Sequence, residues 1–384
     1  MAQTLFLAAV LAAPPAELIS RVWLTPRSAD VMSVGWTSPS PGPSVVEHGP
    51  DAQLGRAARV DGDRTLHHVR IPCDGRRVYY RVRSGDAASE VRSFRPLADV
   101  GGDLRLAVVA NWHMTAARKD PPDLSALRAD DPHLLLTAGD NVGSFWGDCG
   151  RTTAGCLKPY AALFDAYPGL FANTPFLPVS GNHDREVRGR GKTRPPASDP
   201  VYDVEAATFR RVFDGPGRGL FWRLDLPGHG LRVVAADLHH TSDVGTGWQS
   251  GLPFGEDSPQ LAAFERWTTD APPRTLALFN EQASTVRRLA GGRWGDALAR
   301  VPLAVTGFGH FAERSQVGPT AFVNTSLAGR GDRYPDPRSR WLASEDTYLL
   351  VTVPASGPMR ADIKSLDGRV LHTFAVPGDA SPSD

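Results

Sequence analysis

The chain has 384 residues and carries 42 Lys and Arg against 42 Asp and Glu, so its formal net charge is zero. That length is long for one domain and comfortable for two, and an apolar fraction of 41% is enough for a full core. A neutral chain lacks the basic footprint of a nucleic-acid or polyanion binder, and no apolar run is long enough to span a bilayer as a helix. The basic residues are almost all arginine, apart from Lys119, Lys158, Lys192 and Lys364, which reads as coding bias.

Residues 4–13 are apolar and end in small residues, similar to a signal-peptide core, but the first basic residue is Arg21. Residues 1–18 are therefore read as a signal peptide or a lead-in strand. Export to a periplasmic or extracellular compartment is favoured, with the cytoplasm kept open. Cys149 and Cys156 flank a short loop and can form a local disulfide in an exported protein. Cys73 is left over, and three cysteines at these spacings make no zinc cluster.

Residues 19–97 read as short alternating or β-branched strands punctuated by Pro, Gly and Asp: 21–24, 31–36, 44–49, 67–71, 77–82 and 90–94. That spacing predicts a small β-sandwich. His67 and His68 form a tight pair without a third ligand, so a core or surface role is expected of them rather than metal binding. After a Gly-rich link at 97–103 the pattern changes. Residues 104–110 are a near-continuous apolar run, as in a strand buried on both faces. A helical stretch follows at 123–128, then a strand at 134–136, helical spacing over 159–171, and a strand at 177–179. A polar Arg- and Pro-rich loop spans 185–200, and a helix is expected over 205–213. Further strands are predicted at 219–226, 231–237, 275–279 and 303–306. The tail strands 348–353, 359–364 and 370–374 include a hairpin turn at Asp367-Gly368. The second part, 103–384, is thus predicted to be a layered α/β domain finished by β-hairpins.

The chemistry-bearing residues sit where predicted strands end. One strand runs into Gly139-Asp140-Asn141, another into Gly181-Asn182-His183-Asp184. Glycine suits such tight turns because it has no Cβ, and the carboxyl ends of strands are where open α/β sheets bind ligands. Gly-Asp followed downstream by Gly-Asn-His-Asp resembles the calcineurin-like metallophosphoesterase superfamily, with the purple acid phosphatase branch the nearest match. Trp36 at a strand end, a Tyr79-Tyr80-Arg81-Val82 strand and Ser93-Phe94 are similar to the fibronectin-III-like domain that precedes the catalytic domain of that branch. The resemblance implies an α/β fold, a four-layer αββα sandwich over 103–384, preceded by a fibronectin-III-like β-sandwich over 19–97. It also implies a two-metal site in which Fe, Zn or Mn ions activate a water and clamp phosphoryl oxygens.

The family's five motifs map onto this chain unevenly. Asn111-Trp112-His113 stands where Asp-x-His is usual, so the carboxylate has become an amide. Gly139-Asp140 is intact, and its Asp is implied to bridge two metals. Gly181-Asn182-His183-Asp184 is intact: Asn182 is implied as a ligand of the second metal, His183 as the group that stabilises charge on the phosphate, and Asp184 as its orienter. Asn280 stands where a lone His is usual. In Gly307-Phe308-Gly309-His310 the second His is kept and the first is Phe308, with Glu313-Arg314 setting the register. The first metal position therefore keeps His113, Asp140 and His310 beside the weaker Asn111. The second keeps Asp140 and Asn182 and loses both imidazoles, since phenyl offers no donor and an amide is weak. One ion rather than two is consistent with this set. No Tyr follows Gly139-Asp140, so an iron-tyrosinate chromophore is not expected.

Three functions follow. One is a phosphoesterase with a reduced or remodelled metal site, acting on a phosphorylated small molecule or other phosphoester. Another is a pseudoenzyme that binds a phosphorylated ligand or a protein partner. The last is a hydrolase using His183 and Asp184 without metal. Extra donors are sought in Asp237, His239 and His240 after one strand and in Glu281 beside Asn280. Arg185, which opens the basic loop up to Arg194, is a candidate to hold phosphate bidentately, with His239 and His240 as further substrate contacts; a solvated basic loop is the alternative. Asn324-Thr325-Ser326 is a formal glycosylation sequon.

Overall fold

The computed structural model describes residues 17–74, 77–98, 100–150, 155–217, 219–239, 243–280, 291–331 and 333–376. Of the signal peptide or lead-in strand read over residues 1–18, residues 1–16 lie outside the described residues, as do the candidate donors His240 and Glu281.

Between Val22 and Phe94 the chain forms the predicted antiparallel β unit, a six-stranded sheet of Val22–Ser28, Val31–Gly49, Arg56–Pro72, Val78–Ser84, Ala87–Ala88 and Arg92–Phe94. Two predicted strands, 31–36 and 44–49, are the two arms of the single strand Val31–Gly49. Its register breaks between Thr37 and Gly42 and again before Ser44, across Pro39, Pro41 and Pro43, whose missing N–H groups cannot join a ladder. One arm pairs with Val22–Ser28 and the other with Val78–Ser84. The sheet therefore folds over on itself and encloses Leu24, Val34, Trp36, Val46, Ile71, Tyr80 and Phe94. His67 belongs to this core. Its ring stacks on Trp36 at 4.7 Å, and its two nitrogens meet the hydroxyls of Ser38 and Ser44, each at 2.8 Å.

Two larger sheets follow. One has the order Val370–Val376, Met359–Ser365, Thr347–Val353, Leu104–Val109, Leu134–Thr137, Phe176–Pro178. The other runs Trp222–Leu226, Leu231–Ala235, Arg274–Phe279, Leu303–Thr306, Thr320–Asn324, Ala312–Val317, Ser339–Ala343. The strands of Leu104, Leu134 and Phe176 are mutually parallel, as are those of Leu231, Arg274, Leu303 and Thr320.

Side chains alternate across each strand, and that alternation builds four layers. Leu106, Val108 and Leu136 face Val233, Leu276, Leu278, Val305 and Val323 in one core between the sheets. Their neighbours Ala107, Val109, Leu135 and Phe176 point outward onto Leu163, Phe164, Phe171 and Phe209. Those residues belong to the helices Lys158–Ala166, Pro168–Asn173 and Ala207–Val212. On the other sheet Val234, Ala277, Phe279 and Ala304 point onto Leu261, Phe264, Trp294 and Leu298, carried by the helices Pro259–Thr269 and Gly292–Leu298. The arrangement is the expected αββα sandwich. The single helix predicted over 159–171 is two, because Pro168 cannot continue the first one. None of the described helices is long and apolar enough to cross a membrane.

The β unit is fastened to the helices over the first of these sheets. Trp23 stacks on Phe164 at 4.3 Å and its Nε1 donates to Val212 O at 3.1 Å. Tyr80 donates to Ala172 O at 2.6 Å, and Arg70 makes a two-pronged contact with Asp214 at 2.8 Å per prong.

Candidate metal centre

The carboxyl ends of five parallel strands meet on one side of the sandwich. Leu104–Val109 delivers Asn111 and His113, Leu134–Thr137 delivers Asp140, and Phe176–Pro178 delivers Asn182 and His183. From the opposite sheet Arg274–Phe279 delivers Asn280, and Leu303–Thr306 delivers Phe308 and His310. The turns are stitched together: Asn111 N donates to Gly139 O and His113 N to Asp140 O, both at 3.1 Å, and His183 N donates to Asp140 Oδ1 at 3.1 Å.

The turns are also strained. Asn111, His113, Asp140 and Phe308 all sit at positive φ, at 54, 48, 53 and 68°. That region is unfavourable for residues bearing a Cβ, and strain of this kind persists where the surroundings over-determine it. Two glycines make the close approach feasible. A Cβ on Gly139 would overlap the Asn280 side chain, and one on Gly181 would overlap Asp140 Oδ1.

The result is a tight cluster of ligand-type atoms. Donor atoms of His113, Asp140 and His183 lie within 4.8 Å of one another, and His113 Nε2 is 3.6 Å from Asp140 Oδ2. The His113 ring centre is 4.8 Å from that of His183 and 5.1 Å from that of His310. Asn182 Oδ1 and Nδ2 and Asn280 Oδ1 are buried with no hydrogen-bond partner among the described residues. Buried polar groups rarely go unpaired. Imidazole, carboxylate and orphaned amide oxygens together are the donor chemistry of a divalent cation, so the group can hold a metal.

Comparison with solved structures decides the fold. Purple acid phosphatase from yellow lupin (Lupinus luteus) seeds superposes with a TM-score of 0.69 at 13% identity, over 94% of this chain and 74% of that one. A structure of PhoD superposes with a TM-score of 0.66 at 11% identity, over 96% of this chain and 92% of that one. The chain has the calcineurin-like metallophosphoesterase fold. No protein-family model matches the sequence, and no match is found among curated proteins.

Electrostatics within this metallophosphoesterase fold separate the two buried acids. Burial alone would raise the Asp140 carboxyl, but His183 and His113 beside it hold it net below the usual carboxylate range. Asp184 moves the other way, up to about 6, through burial and the charge of Asp140. Its oxygens accept from Gly181 N at 2.7 Å, Asn141 N at 3.2 Å, Asn141 Nδ2 at 3.0 Å and Tyr160 OH at 2.9 Å. Asp184 therefore braces the turn, where the family resemblance implied that it orients His183. Besides Asp140, the His183 ring has Glu186 near it, whose Oε2 is 3.5 Å from Nδ1.

Other expected roles change for similar reasons. Asn111, expected as a weak ligand, spends its amide on the protein. Nδ2 donates to Gly309 O at 3.2 Å and Ser326 Oγ at 2.9 Å, and Oδ1 accepts from Phe308 N at 3.2 Å. Arg185, expected to hold phosphate, is sealed inside. It donates to Ser180 Oγ at 3.0 Å, Val204 O at 2.7 Å and Ser250 O at 3.1 Å, and pairs with Asp237. His239, expected as a substrate contact, is likewise buried, with Nε2 2.9 Å from Asp237 Oδ1. Arg188, Arg190 and Arg194 face Asp199, Glu186 and Asp243, so the loop's charge is largely answered by acids. The Asn324 sequon is closed too: Asn324 is buried and donates to Gly309 O at 3.0 Å and to Phe311 O.

Sequence reasoning passed over Asn141, Tyr160, Glu186 and Ser326, which hold the turns in place. Asn141 carried a usable signal, since it directly follows Gly139-Asp140. Tyr160 lies on a helix and Ser326 beyond a strand, and nothing local marks either.

Proposed function

We propose that the protein is a metal-dependent phosphoester hydrolase with a reduced metal site, acting on a phosphorylated small molecule. The observation that supports it most directly is the convergence of His113, Asp140 and His183 donor atoms within 4.8 Å beside the unpartnered Asn182 amide. His113, Asp140 and His310 would hold an Fe, Zn or Mn ion, which when bound supplies Lewis-acid polarisation of a phosphoryl oxygen. Asp140 contributes the negative charge of the site and, through Oδ1, receives the His183 N–H that fixes the start of that turn. The His183 ring, with Glu186 at its Nδ1 side, faces the cluster and donates a hydrogen bond to the phosphate or its leaving group. Asp184 keeps the Gly181 turn closed so that Asn182 and His183 project together. We assign residues 19–97 to a fibronectin-III-like sandwich and 103–384 to the catalytic domain on the same reading. Export is supported by the Cys149–Cys156 disulfide, a bond that persists in oxidising compartments.

A second reading, a pseudoenzyme that binds a phosphorylated ligand or protein partner without turnover, is favoured by Asn280 and Phe308 in place of two imidazoles. Elemental analysis of the purified protein with turnover of an aryl phosphate separates the two. About one bound metal per chain, with turnover lost in Asp140→Ala, supports the hydrolase. No metal and no turnover, with a phosphate-induced rise in melting temperature, supports the binding protein. Turnover that survives a chelator but disappears in His183→Ala would instead select chemistry without metal.

A further inference from the structure

A cleft of about 440 Å³ opens where the β unit meets the sandwich, and none of His113, Asp140, Asn182, His183 and His310 lines it. Its position follows from the topology. Phe176–Pro178 and Trp222–Leu226 are the outer strands of their sheets, so among the described residues each has one side without a strand neighbour. Leu177 and Trp222 from those strands, with Phe209 and Phe213 at the end of the helix Ala207–Val212, supply the apolar lining. Gly215, Gly217 and Gly219 also line it and bring no side chain to fill it.

The polar lining is mostly guanidinium. Arg27 and Arg70 come from the β unit and meet on one carboxylate. Arg27 Nη1 donates to Asp214 Oδ1 at 3.0 Å, and Arg70 Nε and Nη2 donate to Asp214 Oδ2 and Oδ1, each at 2.8 Å. Ser33 Oγ donates to the same acid at 2.9 Å. Arg210 is answered by Glu205 at 2.9 Å. Arg211 is exposed, and among the described residues its guanidinium has no hydrogen-bond or ion-pair partner. The guanidinium groups of Arg27, Arg70 and Arg211 thus stand against the single carboxylate of Asp214, which leaves the cleft with positive charge in excess. Small-molecule sites span about 300–1,000 Å³, favour boundaries between domains, and combine apolar walls with a few fixed polar groups. Planar, paired N–H donors suit carboxylate, sulfonate and phosphate. A cation would be repelled here, and a neutral apolar ligand would desolvate the arginines without answering them.

We infer that this cleft binds a small organic anion, an acidic head group on an apolar body. The head group meets Arg211, beside Arg27 and Arg70 as Asp214 holds them, and the body lies on Leu177, Phe213 and Trp222. The inference is independent of the metal reading, since no residue of the metal centre takes part.

The test is isothermal titration calorimetry of the full chain, stripped with chelator, with naphthalenesulfonate, an aromatic anion that offers no phosphoester to cleave. One equivalent is expected to bind. Methanesulfonate, the head alone, and naphthalenemethanol, the body alone, are each expected to bind at least about tenfold more weakly. Arg211→Glu reverses a charge at an exposed position and is expected to weaken naphthalenesulfonate at least about tenfold. Ala207→Trp fills the cleft from another exposed position and is expected to abolish binding; it keeps the test decisive should the first variant fail to fold. No saturable heat with up to about 10 mM naphthalenesulfonate, affinity indifferent to both variants, or either comparator binding as tightly would overturn the inference. So would binding that appears only once metal is restored, because the probe would then sit at the metal centre. Absence of metal and of turnover, with this binding intact, would remove the reading of the metal centre and leave the inference standing.

Discussion

Gly181 and Asp184 carry more of the site than their distance from any ligand atom suggests. A Cβ at Gly181 would overlap the carboxylate that anchors the cluster. Gly181→Ala is therefore expected to abolish stoichiometric metal binding while the far-ultraviolet circular dichroism stays native; retention of a full metal equivalent would refute the packing argument. Asp184 accepts from three N–H groups and one hydroxyl. Asp184→Asn turns one of those acceptors into a donor facing donors. It is expected to lower metal affinity about 10- to 100-fold, the usual cost of disturbing groups that orient ligands, measured by competition with a chromophoric chelator. Arg185 teaches the converse at this scale: an arginine beside a motif histidine is a phosphate clamp only if its guanidinium reaches the pocket, and this one is spent on Asp237 and three neutral oxygens.

Among the elements, the bent strand Val31–Gly49 has a polar hinge inside an apolar core. His67 bridges Ser38 and Ser44 across the bend, and burial pulls its pKa from 6.5 down to about 4. His133, buried with Nδ1 accepting from Arg105 N at 3.1 Å, is lowered to about 4 by the same cause. Between pH 6.5 and 4 the unfolded chain binds protons at these two sites and the native chain does not, so stability rises with pH there. The contribution is complete above about 6.5 and is lost as pH falls toward 4. The urea midpoint is expected to drop between pH 7 and 4.5, and to drop less in His67→Gln; an equal drop would exclude His67 as a source. Element boundaries were largely legible where apolar runs were continuous, as in Leu303–Thr306. They were not legible in Ala312–Val317, which carries Glu313, Arg314, Ser315 and Gln316 and pairs as a strand because Thr320–Asn324 and Ser339–Ala343 flank it.

For the whole molecule, the contact between the β unit and the helices is the feature that makes one body of two sequence regions. Trp23 is almost fully buried against Phe164 and bonded to Val212 O. Trp23→Ala is expected to cost about 3–5 kcal/mol and to separate unfolding of the β unit from that of the sandwich, read by calorimetry against the unaltered protein; a small uniform shift would show the interface to be weak. The Cys149–Cys156 bridge closes a short loop, so its reduction is expected to cost about 2 kcal/mol and to lower the melting temperature without loss of fold.

The linear order of residues was sufficient for the sandwich architecture and for the turns bearing Asp140, Asn182, His183 and His310, because apolar runs and Gly-bounded motifs are local patterns. Tertiary structure alone decided which side chains join the cluster. Asn111 is committed by Ser326, 215 positions away, and Arg185 by Asp237, 52 positions away. Partnerships of that separation depend on which strand ends the packed sheets bring together, and no local spacing encodes that.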